Sequence, residues 1–164
     1  MTDMNKSELK LIALDAEDLG VISAHLQDAV LRVGDMRFLP QQKRFATLAN
    51  RFDWGKAFGA GNKSVRPGKN SIGPLRRRTG LRFERVLAAK VTGIDIKDAR
   101  AALALLSIGF VPANGSDAPD GDVTLTFSGG AAIRLSVECL ECEMQDLGAA
   151  WSTKRLPIHP GDAE

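Results

Sequence analysis

Apolar positions along this chain recur with two different periods, and the switches between them mark its elements. The run Leu9 to Leu14, "LKLIAL", predicts a short buried strand. Asp15 then supplies a helix N-cap, with Asp18 three residues on as an imperfect capping-box partner. Leu19, Ile22, Leu26 and Val30 follow at spacings of three and four, so a helix is expected from about Ala16 to Ala29. Period two begins at Leu31 and Val33 and resumes one residue out of phase at Met36 and Phe38. Gly34-Asp35 at the phase shift predicts a bulge or a tight turn. With a turn at "PQQK" and a strand over Arg44 to Phe52, residues 31–52 read as mainly an antiparallel hairpin.

Regular patterning then stops. Between Gly55 and Pro74 the chain carries five glycines and two prolines, and residues 55–80 are expected to form a flexible loop. Leu81, Phe83 and Val86 open a strand running to about Val91. Residues Asp95 to Phe110 fit a helix with the face Ile96, Ala99, Leu103 and Leu106, or a buried strand from about Ala102 to Val111. The strand is the preferred reading, with a turn-rich acidic loop, "PANGSDAPDGD", after it. The clearest hairpin pairs Val123, Leu125 and Phe127 with Ile133, Leu135 and Val137 across Gly129-Gly130. Cys139 to Leu147 predicts a short terminal helix closed by Gly148.

Assembled, these elements predict one α+β domain over residues 9–151, between a disordered stretch at 1–8 and a loose tail at 152–164. Its sheet is expected to be mostly antiparallel, curled or closed into a barrel of about seven strands, with a helix near each end. Such a meander is compatible with a pleckstrin-homology-like barrel.

Composition narrows the class. At 164 residues, 44% hydrophobic and 26% charged, the chain has ordinary globular composition and length for a core. No apolar run approaches the ~18 residues of a membrane span, and the polar "MTDMNKSELK" lacks the form of a signal peptide. A cytoplasmic protein with no membrane partner is expected. The formal charge of +2 conceals an asymmetry, because no acid occurs between Asp53 and Glu84. That interval holds Lys56, Lys63, Arg66, Lys69, Arg76, Arg77, Arg78 and Arg82, on a remainder that is net acidic. These eight residues are the candidate contacts for an anion or a nucleic acid.

Other chemistry is thinly represented. A phosphate-binding P-loop needs glycine, four residues, then Gly-Lys-Ser/Thr. Here Gly61 is followed by Asn62 before Lys63-Ser64, and Gly68-Lys69 by Asn70, so no nucleotide cradle is predicted. Trp54 and Phe58 offer stacking surfaces at the start of the basic segment, but no RNA-recognition motif accompanies them. Cys139 and Cys142 have the spacing of a redox pair or half a zinc site. Glu138, Glu141 and Glu143 beside them disfavour a thiolate, and the two histidines, His25 and His159, do not complete a metal site. The pair reads as small apolar residues at a helix start. No catalytic residues, metal or cofactor are nominated.

Four stretches carry a resemblance: "LKLIALDAEDLGVISAHLQDAVLRVGDMRFLP", "RFATLANRFDW", "RRRTGLRFERV" and "VTLTFSGGAAIRLSVECLECEMQDLG". Together they resemble an uncharacterised bacterial family of single-domain proteins with a domain of unknown function, over roughly Leu9 to Trp151. The resemblance implies a small cytosolic protein and brings no activity, cofactor or catalytic residue with it. The reading is a non-enzymatic binding or interaction module with a protein partner or a second copy of itself. The alternative is a nucleic-acid-associated protein using residues 56–82.

Overall fold

The computed structural model describes residues 9–53, 75–113, 118–148 and 151–152. Strand β1 (Lys10–Ala13) leads into α1 (Ala16–His25), then β2 (Val30–Arg32), β3 (Arg37–Leu39) and β4 (Arg44–Phe52). The remaining strands are β5 (Leu75–Glu84), β6 (Val86–Thr92), β7 (Ala102–Pro112), β8 (Gly121–Phe127), β9 (Ala132–Val137), β10 (Cys142–Asp146) and β11 (Trp151–Ser152). All pair antiparallel in one sheet whose path runs β1-β10-β5-β4-β2-β7-β8-β9-β6, with β11 beside β5 and β3 beside β4. The α+β class and antiparallel pairing therefore hold.

The architecture departs from expectation in two ways. First, α1 is the single α-helix among the described residues. The segment expected to form a terminal helix is instead β10, inserted between β1 and β5. Second, the sheet is open. Its path ends at β1 and β6, and no ladder joins those two among the described residues. A barrel requires that closing ladder, so the expected barrel, pleckstrin-homology-like or otherwise, and the strongly curled sheet are both corrected.

Local chemistry explains the element ends. Asp15 caps α1 as expected, but its side chain accepts from the Asp18 amide at 2.8 Å; the backbone of Asp18, not its carboxylate, is the partner. The helix stops at His25, and Asp28 takes a left-handed φ of 70° before β2 begins. The phase shift at Gly34-Asp35 is a 3₁₀ turn over Val33–Asp35. It seats Gly34 against the loop before β7, where a Cβ would lie 2.9 Å from the Ala99 carbonyl oxygen. A second 3₁₀ turn, Pro40–Gln42, joins β3 to β4. Residues 95–110 resolve in favour of the strand, β7, with the Asp95 side chain accepting from the Lys97 amide and its carbonyl from the Asp98 amide in a turn.

The core lies on one face of the sheet, where α1 covers β1 and β7 through Leu19 and Ile22. The β8–β9 hairpin contributes Val123, Leu125, Phe127, Ile133, Leu135 and Val137, all buried in the expected alternation. At the base of the β7–β8 pair, a Cβ on Gly121 would lie 2.3 Å from the Val111 carbonyl oxygen, so backbone must move to admit one. Gly121→Ala is accordingly expected to destabilise the fold by about 1–3 kcal/mol in urea unfolding. Gly109, with open space at its Cβ position, is the control expected to tolerate alanine without this clash.

Candidate functional site

Strands β4 and β5 form the long ladder beneath the candidate site. Their side chains alternate between the two faces of the sheet. Phe45, Thr47, Ala49 and Arg51 of β4 point inward with Arg77, Thr79, Leu81 and Phe83 of β5. The other face presents paired outward positions: Arg76 opposite Phe52, Arg78 opposite Asn50, Gly80 opposite Leu48, Arg82 opposite Ala46, and Glu84 opposite Arg44.

A hollow of about 310 Å³ opens on this outer face, with a floor of Ala46, Leu48 and Gly80. Its rim is Asp35 and Arg37 on one side and Arg82, Glu143, Gln145 and Leu147 on the other. Ala46 and Gly80 keep the floor low around Leu48; a Cβ on Gly80 would meet Leu147 at an ordinary 3.5 Å. Arg37 is held in place by its Nη1 donating to the Gly34 carbonyl at 2.7 Å and the Met36 carbonyl at 2.9 Å. A second hollow of about 320 Å³ shares Asp35 and Leu48 with the first and adds Arg32, Asn50 and Arg78. The two adjoin at Asp35 and Leu48 and together make up the outer groove of β4.

Behind the groove, on the core side, lies a buried polar cluster. Asp146 of β10 accepts from Arg51 Nε at 2.9 Å and Nη2 at 2.8 Å, a two-pronged pair with both side chains almost fully enclosed. The Thr79 hydroxyl donates to the same carboxylate at 2.9 Å and the Leu9 amide at 3.3 Å. Arg77 Nε donates to Asp53 at 2.7 Å and lies 3.7 Å from Asp146. Burial by itself pushes the Asp146 carboxyl up, but the Arg51 hydrogen bonds and charge, the Thr79 hydroxyl and the Leu9 amide outweigh it and hold it below the usual carboxylate range. Half-buried His25 is shifted down by desolvation and by the Arg51 charge, against the opposing pull of Asp146 and Asp53. The cluster locks β4, β5 and β10 together. A carboxyl kept ionised by arginine is the reverse of what a general acid requires.

The eight basic residues singled out in the sequence have different fates. Lys56, Lys63, Arg66 and Lys69 lie outside the described residues, as do Trp54 and Phe58. The last six positions of the expected loop, 75–80, belong to β5. Arg77 points inward, 2% exposed, into the buried cluster. Arg76 lies over the Phe52 ring, 4.3 Å from its centroid, and burial lowers its guanidinium below the ordinary arginine value. Arg82 pairs with Glu84 at 3.0 Å and with Glu143. Arg78 is exposed, in the groove. The structure thus brings Arg78 and Arg82 to one groove and sends Arg77 to the opposite face.

Sequence reasoning missed Arg32, Asp35, Arg37, Ala46, Leu48 and Gly80. No single local signal unites them: Ala46, Leu48 and Gly80 are outward strand positions that become neighbours only once the β4–β5 register is known, and Asp35 lies in the turn before β3. Cys142 faces the core from β10, and burial together with the Glu143 charge pushes its thiol far up. Cys139 precedes the strand, half-buried and unbridged, rather than opening a helix. Among the described residues no group of three or more His, Cys, Asp or Glu side chains is placed to hold a metal ion. Nor is any helix there long and apolar enough to cross a membrane.

One family model matches, a protein of unknown function (DUF2948), over residues 9–159. No curated protein and no solved structure matches the chain.

Proposed function

The chain belongs to the DUF2948 family, and on that premise we propose that it is a non-enzymatic cytoplasmic binding module whose ligand face is the outer groove on β4 and β5. The observation that carries this reading is the apolar floor of Ala46, Leu48 and Gly80, set among charged residues on the longest ladder of the sheet. An apolar recess with a polar rim on rigid strands suits the side chain of a docking segment. The buried carboxylates support the non-enzymatic part, since Asp53 and Asp146 are both engaged by arginine. The nucleic-acid alternative rests on Lys56, Lys63, Arg66, Lys69, Arg76 and Arg78, with Arg77 and Arg82 already ion-paired.

A photo-crosslinking amino acid at Leu48, introduced in the native host, tests the reading against the same residue at Val111. Val111 is 68% exposed on β7 and lies outside the groove. A protein adduct at position 48 and none at 111 is expected. Equal adducts at both positions, or none, would remove the groove as the ligand face. A nuclease-sensitive adduct would favour the nucleic-acid alternative.

A further inference from the structure

The outer groove is electrostatically lopsided. At one end Arg82 pairs with Glu84 and Glu143, Arg44 pairs with Glu84 at 2.9 Å, and Arg37 is engaged by the Gly34 and Met36 carbonyls. At the other end, Arg76 and Arg78 stand opposite Phe52 and Asn50, neither of which carries charge. Arg32 lines the same end from β2. Among the described residues neither Arg32 nor Arg78 has an ion-pair partner, although both are exposed and border the hollow that contains Asn50. Asp35, shared between the two hollows, is the one acid on that rim among the described residues.

We infer that the groove takes an extended acidic peptide segment, seating a small aliphatic side chain on Ala46, Leu48 and Gly80 and a carboxylate between Arg32 and Arg78. The inference rests on the reading above that this groove is the binding face, and adds the chemistry of its occupant. Charge complementarity sets both the class and the direction. A carboxylate meets guanidinium groups without an ion-pair partner at the Arg78 end, and at the Arg82 end cations already paired with Glu84 and Glu143. The Asn50 side chain adds an amide donor within the cationic hollow. Asp35 and Glu143 line the groove as well, and they would repel a continuous phosphate backbone far more than a single side-chain acid. The floor is aliphatic, and the Phe52 ring beside it lies under Arg76, so among the described residues the groove offers an oligonucleotide no open ring on which to stack. A peptide is therefore the better occupant.

The test is an amide NMR titration of the full chain with a blocked six-residue peptide of Glu, Ala and Leu. Its Gln-for-Glu and Lys-for-Glu counterparts and a single-stranded DNA hexanucleotide are titrated alongside. The Glu peptide is expected to move the Leu48, Asn50, Arg78 and Gly80 signals and to bind more weakly as salt rises. The paired variant Arg32→Gln/Arg78→Gln changes two exposed side chains. It is expected to keep the wild-type thermal midpoint and lose affinity about 10-fold, a few-fold for each exposed pair. Equal binding of the Gln and Glu peptides in the groove would overturn the acidic preference and leave the binding face standing. Tighter binding of the hexanucleotide, or an unchanged affinity in the double variant, would overturn the inference. No groove shift with any peptide would do the same, and with no adduct at position 48 both readings fall.

Discussion

Asp146→Ala is expected to destabilise the protein by about 3–5 kcal/mol, because it leaves the Arg51 guanidinium buried with no carboxylate. The cost follows from enclosure. The Arg51 and Asp146 side chains are 4% and 0% exposed, so water does not replace the lost oxygens. Arg77, 3.7 Å from the same carboxylate, loses half of its negative surroundings and keeps Asp53 alone as its salt bridge. Urea unfolding of the single variant measures the loss. The double change Arg51→Met/Asp146→Leu, which removes both charges, is expected to be more stable than Asp146→Ala. A single-variant loss under about 1 kcal/mol would mean that the charges are not buried as described.

The same pair sets an acid limit. The folded-state value of Asp146 lies below its ordinary 3.8, so the folded state binds its proton less readily than the unfolded chain does. Its contribution is fully present above the unfolded value and is lost as pH falls through the folded one. The stability gap between wild type and Asp146→Ala is therefore expected to be constant near neutrality and to shrink below about pH 3.8. A gap that widens on acidification would reverse the sign and remove the pair as its cause.

Met144→Asp is expected to abolish the fold at 25 °C, while Gln145→Asp one residue later changes stability by less than about 0.5 kcal/mol. Met144 is fully buried on β10 between Leu11 of β1 and Leu81 of β5. A carboxylate placed there stands opposite Leu11 and Leu81 and must desolvate or protonate. Gln145 faces out beside Gly80 on the groove rim. Circular dichroism and amide NMR dispersion separate the two outcomes. A folded Met144→Asp protein would show that β10 does not run with Met144 inward.

That contrast also shows what the sequence concealed. "CEMQD" contains good helix formers, and of its three inward positions, Cys142, Met144 and Asp146, the last is charged. Strand β5 was obscured by the same chemistry: Arg77 and Thr79 occupy inward positions, so period two becomes visible only at Leu81. Both expectations failed at one buried polar cluster, whose Arg51–Asp146 pair joins residues 95 apart in the chain. Where inward positions are wholly apolar, as in the β8–β9 hairpin, the pattern was sufficient. The start of α1 was legible from its Asp15 cap, and the span of β4 was legible although Thr47 and Arg51 stand among its inward positions. The groove was legible only in part. Arg78 and Arg82 stood out by charge, but Arg32, Leu48 and Gly80 become neighbours through pairing of β2, β4 and β5, which no local pattern encodes.

The register of β1 has a consequence for how the chain is made. Lys10 pairs with Gln145, so β1 has no place in the sheet until the chain has been made past residue 145 and that segment has left the ribosome. Until then β1 and α1 wait with Ala13, Leu19 and Ile22 uncovered, side chains that are fully buried at the end. Joining such distant segments carries a large loop-closure entropy, which makes for slow folding and a long exposure of apolar surface. The nascent protein should therefore depend on holding chaperones until β10 is made. Moving β1 to the C-terminus by circular permutation should shorten that dependence.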